Sequence, residues 1–296
     1  MSTAPIVIFA FNRPDALQRL ADALRKCALF DESKIIVFVD GPRNEPERAK
    51  VQATIEVARS LTDDVRASAA NRGLGPSIIA GVTDVINEYG RVIVLEDDLV
   101  PAPGMLMYLN QMLDRYADEP KVCSACAYGL MIRRPNGYNG DVYFSSRSSS
   151  WGWATWHDRW EKIDWAVSDY ESFRQNRRDR RSFNRGGSDM ASMLDGYMAG
   201  RNRSWAIRFC YWQWRNGLLS VHPFRSLVDN EGFGAEATNC RQSYSRFKID
   251  LDCREGEIDW YTPETVELNS SIDRSLARYH SIPIRIYSKI RKILNI

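Results

Sequence analysis

The chain has 296 residues, enough to bury a substantial core in one large domain, or in one domain with a smaller appendage. Forty Lys and Arg against 38 Asp and Glu leave a formal net charge of +2, which argues against a general nucleic-acid binder. No eighteen-residue apolar run and no charged-then-apolar leader is present, so a cytoplasmic protein with six reduced Cys is expected. Cys123 and Cys126 form a C-x-x-C with no partner pair at zinc spacing, and they read as buried thiols.

Residues 5–11 are a short apolar run, read as a first strand, and Asn12-Arg13-Pro14-Asp15 then opens a helix over 16–26 with Pro in its first turn. A second strand over 34–39 ends at Asp40-Gly41-Pro42, and a charged helix follows over 45–60. A third strand near 65–68 leads through Asn71-Arg72-Gly73-Leu74-Gly75-Pro76 into a helix over 77–89, which Gly90 ends. Val92 to Leu95 lack alternation, as a strand buried on both faces does, and the run stops at three consecutive acids, Glu96, Asp97 and Asp98. The repeat of strand, polar turn and helix predicts right-handed βαβ units and a mostly parallel sheet. Three carboxyl-end turns, Asn12/Arg13, Asp40/Gly41 and 96–98, then converge on one crevice.

Three adjacent carboxylates repel one another, so a fold that gathers them needs donors or a cation to keep them ionised. A hard divalent ion, Mn2+ or Mg2+, bridging to phosphate oxygens is the natural occupant; the plain alternative is a solvated acidic turn before Pro101 and Pro103. Beyond the acids come a helix over 105–116, a strand over 122–130, a turn-rich stretch over 134–141 and a strand over 142–145. Residues 147–165 are dense in Ser and Trp. A basic stretch follows, with Arg174, Arg177, Arg178, Arg180, Arg181 and Arg185 around one acid, Asp179. It reads as a solvated helix face or as a landing strip for an anionic acceptor or bilayer. Gly186-Gly187 breaks it before helices over 188–200 and 204–216. The expected organisation is a main domain over 1–245, with a nucleotide-binding half 1–100 and an acceptor half 101–245. An irregular extension over 246–280 and a basic amphipathic tail over 281–296 complete it.

A first strand closing in F-N-R-P, a second closing in V-D-G-P, N-R-G-L-G before a helix, and V-I-V-L-E-D-D-L-V resemble family 2 glycosyltransferases of the GT-A fold. The acidic segment is similar to that of the branch around N-acetylglucosaminyltransferase I, where E-D-D replaces the commoner D-x-D. S-S-W-G-W-A-T-W at 149–156 and S-W-A-I-R-F at 204–209 resemble segments of bacterial relatives, and the similarity runs from residue 5 to about 240. The fold implied is α/β and Rossmann-like, a mostly parallel central sheet flanked by helices. The function implied is metal-dependent, inverting transfer of a sugar from a nucleotide-sugar, most simply a UDP-sugar. The acceptor would be a hydroxyl of a bacterial surface polysaccharide or a polyprenyl-diphosphate-linked oligosaccharide.

Candidate roles follow from both sources. Phe11, Asn12 and Arg13, with Asn71, Arg72 and Gly73, are donor-site candidates: the arginines can meet phosphate or ribose, and Gly73 and Gly75 permit close backbone approach. Asp40 can accept from a pyrimidine ring N–H, a role the resemblance also implies, or can simply cap a turn. The resemblance implies that Asp98 is the direct metal ligand, with Glu96 and Asp97 toward ribose, donor sugar or metal-bound water. His222 either completes the metal shell or ends a strand. The family's catalytic Asp follows Trp in a W-D-D, yet the matching place here reads Trp205-Ala206-Ile207, which has no acid. Asp189, Asp195 and, third, Glu231 are the base candidates, each also readable as a helix-terminal or surface acid. Trp151, Gly152 and Trp153 suit stacking on an acceptor sugar, whereas Trp156 reads as a buried brace. Asn230, Gly232, Phe233 and Gly234 match an N-x-G-F-G loop of the bacterial relatives, expected to close over donor or acceptor.

In the tail, Ile286, Ile290 and Ile293 recur at helical spacing beside Tyr287 and Leu294, with only Arg285, Lys289, Arg291 and Lys292 for charge. This is the pattern of an interfacial helix on the inner face of the cytoplasmic membrane, and equally of a helix docked on its own domain. Two other functions fit parts of the sequence: a catalytically silent nucleotide-sugar-binding or membrane scaffold, favoured by the missing acid, and a nucleotidyltransferase, disfavoured because A-F-N-R-P stands where a glycine-rich phosphate loop belongs.

Overall fold

In the computed structural model, which describes residues 3–232, 249, 251–255 and 258–294, the first half alternates strand and helix as the sequence pattern predicts. Strand β1 (Ile6–Ala10) is buried throughout and runs into α1 (Pro14–Leu24), whose Leu17, Leu20 and Leu24 form one buried stripe. Strand β2 (Ile35–Val39) and helix α2 (Glu45–Leu61) follow; the Asn44 side chain caps that helix by accepting from the Glu47 N–H at 3.2 Å. Next come β3 (Val65–Ala67), α3 (Leu74–Tyr89) and β4 (Arg91–Glu96). Gly73 enters α3 at φ +81°, a left-handed conformation that side chains with a Cβ rarely adopt.

The second half holds β5 (Leu99–Pro101), α4 (Met105–Arg115), β6 (Val122–Cys126), β7 (Val142–Ser145) and β8 (Trp153–Trp156). Five helices follow, α5 (His157–Trp160), α6 (Tyr170–Gln175), α7 (Arg177–Phe183), α8 (Met190–Met198) and α9 (Trp205–Arg215). Strands β9 (Leu219–Pro223) and β10 (Val228–Asn230), then helices α10 (Ser270–Tyr279) and α11 (Ile282–Leu294), complete the described elements.

Eight strands form one sheet in the order β3-β2-β1-β4-β8-β6-β9-β7, with a separate antiparallel pair of β10 and β5. The four on the β3 side are mutually parallel; β8 and β7 run against their neighbours. This is the mixed, mostly parallel α/β sheet expected. One face packs on α1, α2 and α4, the other on α3, α9 and an aromatic cluster around Trp153 and Trp160. A smaller apolar centre joins α6 to α9 through Phe173, Phe183, Leu194 and Tyr211.

Three expectations change. The strand expected over 122–130 stops at Cys126, where its pairing with β8 ends. The Ser- and Trp-dense segment is no simple loop: Trp153–Trp156 is inserted antiparallel between β4 and β6, where Ala154 pairs with both Ile93 and Ala125. The extension over 246–280 is irregular only in part, since α10 seats Ile272 and Leu276, 1% and 6% exposed, in the main core. Cys123 and Cys126 are buried free thiols. Among the described residues no helix is long and apolar enough to cross a membrane. Phe233 and Gly234 of the expected glycine loop lie outside the described residues.

Candidate active site

The carboxyl ends of β1, β2 and β4 open onto a cleft of about 710 Å³. The structure brings nine expected residues to its walls: Phe11, Arg13, Asp40, Asn71, Arg72, Gly73, Glu96, Asp97 and Asp98. They meet because three parallel strands end level with one another; Phe9 pairs with Glu96 across β1 and β4, and the Asp97 N–H donates to the Phe9 carbonyl at 3.1 Å. Asn12 turns away, its amide donating to Glu47 Oε1 at 3.4 Å, and is not part of the wall.

Arg13 forks across the acidic turn, donating to Asp97 Oδ1 and, at 3.0 Å, to Asp98 Oδ2. The guanidinium supplies the counter-charge that keeps adjacent acids in one place. It does not satisfy all of them. Asp97 is 2% exposed and its Oδ2 is buried without a hydrogen-bond partner. Burial pushes the Asp97 carboxyl up to about 6 against the opposing pull of Arg13, and burial together with the charges of Asp98 and Asp97 pushes Glu96 up to about 8. These acids therefore ionise reluctantly, and a further cation or donor at the cleft floor would favour their charged forms.

Asp40 is committed to backbone. Its Oδ1 accepts from the Arg72 N–H at 2.8 Å and the Gly41 N–H at 3.0 Å, and its Oδ2 from the Gly73 N–H at 2.9 Å, stapling the end of β2 to the turn before α3. Asn71 reinforces the staple by donating to the Gly41 carbonyl at 2.9 Å. A Cβ on Gly41 would lie 2.6 Å from the Ala70 backbone, so glycine is required for the two turns to touch.

Other wall residues were not singled out in the sequence. Phe9 and Phe38 stack with centroids 5.3 Å apart, and a Cβ on Gly81 would strike the Phe9 ring at 2.8 Å, so this glycine lets α3 settle on the pair. Arg66 lies over Phe38, Arg43 over Phe11, and Arg203 joins them on the wall from the turn before α9. Only tertiary contact identifies these: Arg66 sits in a three-residue strand and Arg203 far along the chain, with no local pattern to mark either.

The acidic turn suits a cation held largely by oxygens of a bound phosphate. Asp97 Oδ2 is an orphaned buried acceptor, Asp98 lines the cleft, and Asn230 reaches Asp98 Oδ1 at 3.4 Å. Gly232 presses its backbone onto Asp98 so closely that a Cβ there would lie 2.2 Å from Oδ2. Among the described residues no three His, Cys, Asp or Glu side chains converge as a ready-made metal cage. His222 does not belong to this set. Its Nδ1 and Nε2 face the Tyr128 and Arg147 carbonyls at 3.0 and 3.1 Å, it lines a different pocket from the acidic turn, and its ring stacks on Tyr143. Burial alone would lower its pKa, but Cys126 and the two carbonyls raise it.

A second pocket of about 220 Å³ adjoins the cleft, sharing Ser150, Ser204 and Ala206 with it. Trp151, set edge-to-face on Tyr128 at 4.6 Å, forms one wall, and serines of the 145–150 segment another. Trp153 is elsewhere: it is 2% exposed and packed between Trp160 and Trp205, so it is core and no platform for a sugar. Gly152, at φ +61°, is the pivot that sends Trp151 to the pocket and Trp153 inward, and it packs under Ala127 and Leu95 instead of offering room to a ligand.

The expected bases are locked. Arg147 donates to both oxygens of Asp189 at 2.9 and 3.2 Å; burial would raise that carboxyl, but the guanidinium overrides it and pulls it down to about 2. Arg180 holds both oxygens of Asp195 at 2.8 and 2.6 Å, with the Tyr170 hydroxyl at 3.1 Å. Glu231 pairs with Arg19 at 2.9 Å. None of the three lines the cleft or the second pocket. Among the described residues the carboxylate that does line the second pocket is Asp273 of α10, 3.5 Å from Arg185, a residue for which the sequence carried no local signal.

No family model matches the chain and no curated protein does. Among solved structures it is similar to GalNAc-T7 with UDP, GalNAc and Mn2+, at 12% identity over 77% of this chain and 43% of that one, TM-score 0.48. It is also similar to the mannosyltransferase PcManGT from Pyrobaculum calidifontis in complex with GDP-Man and Mn2+, at 11% identity, 73% and 70% coverage and TM-score 0.40. A third is a cytidylyltransferase from Leptospira borgpetersenii serovar Hardjo-bovis, at 12% identity, 60% and 69% coverage and TM-score 0.36.

Proposed function

We propose that the protein is a GT-A glycosyltransferase that moves a sugar from a nucleotide-sugar, most simply a UDP-sugar, to a glycan hydroxyl with inversion. The observation that carries this reading is the single cleft in which strand-end turns gather Glu96, Asp97 and Asp98 under Arg13, with arginines and a stacked aromatic pair on the opposite wall. The base and ribose of the donor lie along Phe38, Arg66 and the Asp40-stapled turn. Its diphosphate meets Arg72 or Arg203. Asp98 and Asp97 Oδ2 would hold Mn2+ or Mg2+, which stabilises negative charge on the departing phosphate.

The acceptor enters through the second pocket, its ring against Trp151. Asp273 takes the proton of the acceptor hydroxyl as that oxygen bonds to the anomeric carbon. The bond from that carbon to the phosphate oxygen breaks, and the nucleoside diphosphate leaves with the electron pair. An acceptor of bacterial surface polysaccharide or polyprenyl-linked oligosaccharide fits the basic surface around α7 and the exposed face of α11. A second reading, a silent nucleotide-sugar binder, is favoured by Ala206 standing where the family has an acid.

Calorimetric titration with UDP, GDP and dTDP, each with Mn2+ and with EDTA, tests the donor site. One nucleotide should bind in a metal-dependent way, and Asp98→Ala should weaken it at least about tenfold, roughly 1.4 kcal/mol. If no nucleotide binds under any condition the reading fails. Binding without turnover of the cognate nucleotide-sugar toward any glycan favours the silent binder.

A further inference from the structure

Residues 274–296 contain six Lys or Arg and no Asp or Glu, and α11 arises within them. At 100° per residue, Ile282, Ile286, Ile290 and Tyr287 fall within an arc of about 140°. A helix of a water-soluble domain normally turns such a stripe to the core. Here the stripe faces out: Ile282 is 58% exposed, Ile286 53%, Tyr287 56% and Ile290 48%. The opposite side docks, with Ile284, Arg285 and Ser288 partly buried and the Arg285 guanidinium donating to Ser188 Oγ at 3.3 Å.

The mounting is firm. Helix α10, which carries α11, is seated in the core by Ile272 and Leu276, and Ser188 Oγ also donates to the His280 carbonyl at 2.7 Å. Arg185, 71% exposed, ends the basic α7 segment beside this mount and faces Asp273 of α10. An outward apolar face with purely positive charge around it is complementary to an anionic lipid surface. At about 20 Å, thirteen residues are too short to cross a hydrocarbon core of about 30 Å, so the helix must lie flat. A second copy of α11 would bring like charge against like, which opposes self-pairing.

We propose that α11 is an interfacial anchor that lays Ile282, Ile286, Tyr287 and Ile290 into the headgroup boundary of an anionic bilayer, with Lys289 and its basic neighbours at the phosphates. The anchor stands whether or not the transfer reaction above is correct. Where that reaction is correct, it has a consequence: α10 contributes Asp273 and Leu276 to the second pocket, and His280 at its end joins them, so the pocket wall is the root of the membrane contact. An acceptor held at the bilayer would then arrive beside Asp273.

The full chain should sediment with vesicles of phosphatidylcholine plus phosphatidylglycerol and much less with phosphatidylcholine alone, and high salt should release it. Ile286→Glu/Ile290→Glu should weaken partitioning at least about tenfold, because each replaced side chain otherwise leaves water. Lys289→Glu/Arg291→Glu should do so on anionic vesicles only, by a similar factor. Ile286, Ile290 and Lys289 are exposed and Arg291 is partly buried, and both double variants should keep the wild-type thermal melt by circular dichroism. Three outcomes overturn the proposal: no binding to anionic vesicles, binding indifferent to both variants, or a dimer in sedimentation velocity that Ile286→Glu/Ile290→Glu dissolves while vesicles bind nothing.

Discussion

Asp189 shows how much a neighbour decides about a carboxylate. Two bonds from the largely buried Arg147 hold it ionised down to about pH 2, and a group so reluctant to take a proton serves poorly as a base. Its value lies in the pairing. Asp189→Asn leaves Arg147 buried beside a neutral amide and should cost about 3–5 kcal/mol at neutral pH in urea unfolding. The sign of the pH dependence follows from the depressed folded value. The pair stabilises fully above the unfolded pKa near 3.9 and loses that contribution as pH falls toward 2, so wild type and variant should converge across that window. A variant as stable as wild type, but without turnover, would restore Asp189 as the base. Asp40 follows the same logic, since three backbone N–H groups occupy the carboxylate that a pyrimidine was expected to meet.

Strand β8 is the element on which the second pocket depends. Its insertion between β4 and β6 joins the parallel half of the sheet to the mixed half, and it places Trp153 between Trp160 and Trp205. Trp153→Ala should therefore cost about 3–5 kcal/mol in chemical denaturation. Trp151→Ala should cost about 1 kcal/mol or less while raising the KM for a glycan acceptor, because the partly exposed Trp151 ring lines the second pocket. Equal stability losses for the two would mean that Gly152 does not divide core from site.

Across the whole molecule the two cavities draw on different parts of the chain. The acidic cleft is built mainly from residues before 100, with contributions from Ser150, residues 202–206 and Gly232, while the second pocket needs β7, β9, α8 and α10. Asp273→Asn should accordingly leave metal-dependent nucleotide binding within about twofold of wild type and lower the transfer rate at least about 100-fold. Loss of nucleotide binding in that variant would mean that α10 supports the fold and takes no part in transfer.

The acidic turn, the strand ends that bring it to Arg13 and Asp40, and the parallel order of the first four strands were legible in the sequence because each is local. Apolar runs without alternation, a Pro or Gly at each helix boundary and three acids in succession carry their meaning within a dozen residues. The second half was not legible in the same way. Whether Trp151 or Trp153 faces a ligand, whether Asp189 is free or clamped and which carboxylate reaches the second pocket all depend on partners far along the chain. The tail marks the division most plainly. Its amphipathic spacing was written in the sequence, but the spacing is the same for a helix facing in or out. Only the docking of Arg285 on Ser188, with Ile282, Ile286 and Ile290 left toward solvent, decided the direction.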